Sequence, residues 1–264
     1  MLGKQNQNIS FGVWFQYINR SDKKWIEYIQ KYKNSGITNY FIQGTPSQLK
    51  KLILITKDMR INIHAWVWTL NRPEDEVAMN NSDWYSVNRE GQNSYDFRPY
   101  VDYYQWLSPF SLGARKHIKQ NIKEFSKLDG LASVHLDYVR YCDVILPIAL
   151  QPKYYLVQND EMPQYDFGYH KEARKKYKEI YNVDPIEIEN PQGDSNWLKF
   201  RLDALTSLVN QLVEIAHSSG TKLSAAVFPF PEMSRKMVRQ DWSSWNLDII
   251  CPMNYHHSYN EDTD

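Results

Sequence analysis

The sequence predicts an α/β protein of the (β/α)8 TIM-barrel type, apparently truncated after about six strands. Three observations predict it. From residue 11 onward, strand-like segments rich in β-branched and aromatic residues alternate with amphipathic helix-like segments, six times over. The strands read as buried, which implies parallel pairing and right-handed crossovers. The two longest stretches without regular structure, about 71–112 and 142–196, follow the third and fourth strands and so fall on one face, as in barrel enzymes. The doubly wound sheet is the other regular answer. No Gly-rich phosphate turn follows any early strand, which removes its dinucleotide-binding version.

"FGVWFQYI", Phe11 to Ile18, is the first strand. A helix follows, with Ser21 as N-cap, a stripe of Trp25, Ile26, Ile29 and Tyr32, and Gly36 past its end. "ITNYFIQG", Ile37 to Gly44, is the second strand. Thr45 caps the next helix, with Pro46 in its first turn, where proline is tolerated. "INIHAWVWTL", Ile61 to Leu70, is the third strand. The segment from Asn71 to about Leu112 is long, and its aromatic content argues for function rather than disorder. "ARKHIKQNIKEFSKL" is the third helix and "GLASVHLDY" the fourth strand. The second insertion, Cys142 to Asn196, holds one basic helix near Lys171 to Tyr181. In the helix from Trp197 to Gly220, Leu202, Leu205, Leu208, Val209, Leu212 and Ile215 fall at helical spacing. "KLSAAVFPF" is the fifth strand, a short helix lies between Pro231 and about Trp245, and "LDIICPMNYHH" is the sixth strand. Only six strands fit, and the chain stops at "YNEDTD", where a sixth helix should begin.

Composition narrows the function. The 264 residues suffice for one large barrel or two small domains. The organisation expected is a tail, trimmed or disordered, over residues 1–9 and one barrel domain over 10–264. Lys+Arg and Asp+Glu both total 31, which argues against a nucleic-acid partner, because phosphate binding needs clustered positive charge. The basic run from Lys171 to Lys178 reads as the solvated face of a helix. No segment is long and apolar enough to span a bilayer. Two cysteines, Cys142 and Cys251, make neither a disulfide framework nor a zinc site. Nine Trp and nineteen Tyr are the unusual quantity, and many lie in loop segments, Trp84, Tyr100, Tyr103, Tyr104 and Tyr154 among them. Exposed aromatic faces suit the flat C–H surfaces of sugars, and they also serve protein interfaces.

Six ordered motifs carry a family resemblance: "DWYSVNREGQ", "WLSPFSLGARKHIKQNI", "LDGLASVHLDYVRY", "WLKFRLDALTSLVNQL", "LSAAVFPFPE" and "QDWSSWNLDIICPMNY". Together they resemble the family 10-like glycosyl hydrolase proteins, TIM-barrel glycoside hydrolases of bacteria, over roughly residues 10 to 260. The resemblance implies a carbohydrate-active enzyme without fixing a substrate; a polysaccharide or oligosaccharide substrate and no cofactor are expected. It also implies export from the cell, with a signal that has been removed, since "MLGKQNQNIS" holds no apolar signal core.

Side chains two apart on a strand share a face, so Ser133, His135 and Asp137 project together. Barrel catalytic groups come from C-terminal strand ends, which is where Asp137 sits. The bland alternative is an Asp that caps the next loop or pairs with Arg140. Glycoside hydrolysis uses two carboxyl groups, one to protonate the leaving oxygen and one as nucleophile or base. Asp137 is the first expected member and Glu232, just beyond "VFPFP", the second; a helix N-terminal Glu favoured by the dipole is the alternative for Glu232. Asp102, Asp143 and Glu161 in the insertions, or a group on a seventh or eighth strand, are weaker options, and acid and nucleophile stay unassigned.

Expected substrate contacts are His135, Arg140, Trp68, Asn254, Tyr255, His256, Gln16 and Gln43, all at or near strand ends. His64 reads as a core histidine, Trp66 as barrel filling, Asp248 as structural and Arg201 as internally paired. A metal site built on His135, Asp137 and His256, as in a deacetylase, has no HExxH-like signature behind it, and none is predicted. A carbohydrate-binding barrel without catalysis is the other alternative.

Overall fold

The computed structural model describes residues 9–255. Six strands, β1 (Phe11–Gln16), β2 (Ile37–Gln43), β3 (Asn62–Trp68), β4 (Ser133–Asp137), β5 (Lys222–Val227) and β6 (Ile249–Pro252), form one sheet in the order β1-β2-β3-β4-β5-β6. Every neighbouring pair is parallel. Sequential order with parallel pairing is the topology of the (β/α)8 barrel, here with six of its strands.

The sheet curls. In a flat sheet β1 and β4 would lie roughly 14 Å apart. Yet the Trp14 ring on β1 and the His135 ring on β4 have centroids 5.8 Å apart, and Phe41 on β2 lies 4.7 Å from His135. These rings meet because the strands wrap around them. Among the described residues β1 and β6 are the sheet edges, and Trp14, Ile249 and Ile250 are exposed there.

The outer face of the sheet is the apolar one. Tyr40, Ile42, Ile63, Ala65, Val134, Leu136, Leu223, Ala225 and Val227 are all buried under the helices. Helices α1 (Asp22–Asn34) and α2 (Pro46–Thr56) carry the expected caps. Ser21 Oγ accepts from the Lys24 amide, and Thr45 and Gln48 satisfy each other's amides as a capping box. The short α3 (Glu76–Met79) lies within the first insertion. Helix α4 (Leu112–Ser126) starts two residues earlier than its apolar pattern indicates, because Ser111 Oγ accepts from the Ala114 amide at 3.3 Å and sets the start. Helix α5 (Lys171–Tyr181) matches its expected span. Helix α6 (Ser195–His217) is capped by Asp194, and its leucine stripe is buried against α4 and β5. Helix α7 (Pro231–Val238) follows β5.

The inner face is unusual for a barrel, where bulky aliphatic side chains dominate. Here Asn39, His64, Ser133, His135 and Ser224 form a buried polar chain. His64 Nδ1 meets Ser133 Oγ at 2.7 Å, Ser133 Oγ meets Ser224 Oγ at 3.1 Å, and Ser224 Oγ meets His135 Nδ1 at 3.0 Å. His64 is thus the satisfied core histidine that the sequence suggests. Burial holds its imidazole down to about 4 and that of His135 to about 3, so both are neutral. His135, expected to touch substrate, is wholly buried inside the barrel, one layer below Asp137. Two residues along a strand keep the face but change the depth.

The long insertions are ordered by local chemistry. Isolated bridges pair Asn71 with Trp106, Tyr85 with Leu107 and Asn88 with Phe167, tying both insertions together. Arg201, on α6, pairs with Asp166 of the second insertion, and Arg239 pairs with Glu161; all four side chains are buried. Arg201 is therefore internally paired, as its sequence position suggests, and Glu161 is taken up by Arg239. Asp248 accepts from the Leu223 amide at 2.8 Å and meets His217, a structural role at the N-terminal end of the sheet.

Candidate active site

Asp137 ends β4, and the β3–β4 pairing runs past it. The Thr69 amide donates to the Asp137 carbonyl at 2.8 Å and the Leu70 amide to the Tyr138 carbonyl at 3.2 Å. Tyr138 then turns the chain through φ +48, a left-handed conformation that costs a non-glycine residue about 1–2 kcal/mol. That turn brings the Tyr138 amide to 2.7 Å from Asp137 Oδ1. The Trp66 indole Nε1 donates to Asp137 Oδ2 at 2.9 Å, because Trp66 and Trp68 sit on the same inner face of the neighbouring strand. Both carboxylate oxygens are thus held, each by one neutral donor.

The carboxyl opens into a hollow of about 380 Å³ at the C-terminal strand ends. Trp66 and Trp68 of β3, Asp137 of β4, Phe228 after β5 and Met253 after β6 all line it. The first insertion adds Tyr100 and Tyr104, and the second adds Asp143 and Tyr154. Its size falls within the range of small-molecule sites. The walls are aromatic: the Trp68 and Tyr138 rings lie 4.7 Å apart, and Trp68 and Tyr103 lie 6.1 Å apart.

Electrostatics separate the two acids of this hollow. Burial raises the Asp137 carboxyl above the usual carboxylate range, and the Trp66 and Tyr138 donors, with the more distant charge of Arg140, only partly offset that. Arg140 does not pair with Asp137. Its Nη1 donates to Asp143 Oδ2 at 2.9 Å and to the Tyr141 carbonyl at 3.0 Å, and its Nη2 to the Tyr104 hydroxyl at 3.2 Å. The Arg140 guanidinium also lies 4.8 Å from the centre of the Trp106 ring. Burial pushes the Arg140 pKa down, but Asp143 and Tyr104 outweigh it, and the group stays charged.

The expected contacts divide. Trp68, Arg140 and Tyr255 line the hollow with Asp137. Asn254 is exposed and outside its lining, and His256 lies outside the described residues. Gln16 Nε2 donates to Gln43 Oε1 at 3.0 Å, so these two hold each other at the ends of β1 and β2, and Gln43 lines an adjoining hollow. Glu232 is exposed in the first turn of α7 and is not part of the lining. The turn after Phe230 starts a helix there, and a first-turn side chain points to solvent. Asp102 is exposed as well. Asp143, a weaker option by sequence, is the second carboxyl in the hollow. Trp66, read as barrel filling, is the residue that holds Asp137. Its signal was available in the alternation of Trp66 and Trp68, but the partner across the ladder is a matter of register.

Among the described residues no three His, Cys, Asp or Glu side chains converge as metal ligands. His135 and Asp137 point to different depths.

No family model matches the chain. No curated protein matches it either. Solved structures do. The PgaB (BpsB) glycoside hydrolase domain from Bordetella bronchiseptica superposes with a TM-score of 0.63 at 13% identity, over 93% of this chain and 74% of that one. The alpha-L-fucosidase isoenzyme 2 from Paenibacillus thiaminolyticus gives 0.53 at 10% identity, over 81% of this chain and 32% of that one. A cycloisomaltooligosaccharide glucanotransferase from a Paenibacillus species gives 0.50 at 8% identity, over 91% and 33%. At such identities the likeness carries the fold alone, and the fold it carries is the barrel on which these glycosidases are built.

Proposed function

We propose that the protein is a glycoside hydrolase of the family 10-like kind, acting on a polysaccharide or oligosaccharide. The single observation that carries this reading is the Asp137 carboxyl: without an ion-pair partner among the described residues, raised in pKa by burial, and facing an aromatic hollow at the mouth of the barrel. A carboxyl with a raised pKa suits the general acid of glycoside hydrolysis. Asp143, 2.9 Å from Arg140 Nη1 in the same hollow, is the partner carboxyl in this reading, in place of Glu232. The proton passes from Asp137 to the glycosidic oxygen, and Asp143 acts on the sugar or on water.

The test is release of reducing ends from a polysaccharide panel. Asp137→Asn is expected to cut turnover by about 10²–10⁴ with the fold intact, the usual worth of a positioned proton donor. Unchanged turnover in that variant ends the reading. A second reading, a carbohydrate-binding barrel without turnover, is favoured by one observation: the Asp143 charge is already engaged by Arg140. Binding of glycans with no reducing ends released from any of them would select it.

A further inference from the structure

A second hollow, of about 450 Å³, adjoins the first. It is lined by Gln43 at the end of β2, by Arg72, Glu74 and Asp75 after β3, and by Asn121 on α4. It shares two residues with the Asp137 hollow, Trp66 and Trp68. Neither indole is buried, and their rings lie 6.5 Å apart and tilted by 64°. The two spaces therefore meet at a pair of half-buried indoles.

We propose that the two hollows are one continuous cleft, which takes a linear oligosaccharide across Trp66 and Trp68. The inference rests on the glycosidase reading for its chemical step and on the two hollows for its length. Three features support it. Indole faces accept the C–H faces of sugars, while Gln43 and Glu74 add polar groups for hydroxyls; Arg72 donates to the Thr69 carbonyl, Asp75 and Asn121 and so braces the wall of the hollow. The backbone is held in the left-handed region on both sides of the indole wall, at Glu74 (φ +62) in the second hollow and at Tyr138 (φ +48) in the first. Such conformations in non-glycine residues gather at ligand sites. Further rings, Tyr100, Tyr104 and Tyr154, line the first hollow beyond the indole wall.

The position of Asp137 then sets where a chain is cut. Its Oδ2 accepts from Trp66, one of the two residues common to both hollows. The bond it protonates lies at the shared wall, with sugar units bound on both sides. Cleavage falls inside the chain, and the first products are oligosaccharides.

The experiment uses the full chain and cello-, manno-, xylo- and chito-oligosaccharides of two to six units. Affinity is measured on Asp137→Asn by calorimetry, and first products are read from the unaltered protein by mass spectrometry. In at least one series affinity should rise about tenfold or more between two and six units, and Trp68→Ala should remove that gain. The first products from the six-unit substrate should be two units or longer. An affinity already complete at two units, single sugars as first products, or no binding in any series overturns the proposal. Length-dependent binding without release of products leaves the long cleft standing and sinks the hydrolase reading instead. The ladder on the otherwise unaltered fold decides the matter even if Trp68→Ala does not fold.

Discussion

The Trp66 indole donates to the Asp137 carboxylate at 2.9 Å across the β3–β4 ladder, and it is one of two donors that reach that carboxyl among the described residues. A donor to a carboxylate favours the charged form, so it lowers the pKa against the larger effect of burial. In Trp66→Phe that restraint is gone and the Asp137 pKa rises further. The alkaline limb of the pH–activity profile, where the acid loses its proton, should move to higher pH. Stability should fall by about 1 kcal/mol, the usual net worth of a hydrogen bond. A limb that stays in place would show that Asp137 is not the proton donor.

Arg140 and Asp143 form a buried pair whose value is clearest when half of it is removed. Arg140→Met leaves a buried carboxylate uncompensated, which costs about 3–5 kcal/mol. Adding Asp143→Leu to that variant should restore much of the stability, because two apolar groups then pack where two charges did. Urea unfolding of the single and double variants measures both steps. Equal destabilisation in the two would mean that packing, not charge, dominates there.

The buried histidines make the fold sensitive to acid. The folded pKa values are depressed, to about 4 for His64 and about 3 for His135, while the unfolded chain titrates near 6.5. Between those limits the unfolded state binds the extra proton, so the stabilising contribution is complete above pH 6.5 and is lost as pH falls through 6.5 toward 4. Each histidine adds a slope of about 1.4 kcal/mol per pH unit in that window. In His135→Asn the pH dependence of the urea midpoint between pH 7 and pH 5 should be shallower, since one of three buried histidines with lowered pKa, His64, His135 and His170, is removed. An unchanged slope would show that His135 is protonated in the folded state.

Gly168 ties the second insertion to α6. It has φ +129, and an added Cβ would stand 2.8 Å from Arg201 Cδ. Arg201 cannot retreat, since it is buried and bonded to Asp166 and the Phe167 carbonyl. Gly168→Ala should therefore cost about 1–3 kcal/mol, read as a lower thermal midpoint. A midpoint within a degree of the unaltered protein would contradict the packing described here.

Local chemistry made the framework legible. Ser21, Thr45 with Pro46, and the leucine stripe of α6 act within a few residues of chain, so their elements follow from sequence. The position of Asp137 at a strand tip was legible for the same reason, since β4 is short and its outer-face residues, Val134 and Leu136, are apolar. Its neighbours were not. Asp143 lies six residues on, across a left-handed turn at Tyr138 that aromatic side chains rarely adopt, and no propensity announces it.

From sequence alone come the alternation of strands and helices, the parallel barrel, and the carboxyl at the end of β4, because each depends on periodicity or on caps within one element. Only the tertiary structure decides that His135 is locked inside the barrel, that Glu232 is exposed outside the hollow, that Trp66 bonds to Asp137, and that Asp143 lines the same hollow. Those facts depend on the register between strands and the curl of the sheet. Register and curl are set by the summed packing of residues far apart in the chain, and no local pattern encodes that sum.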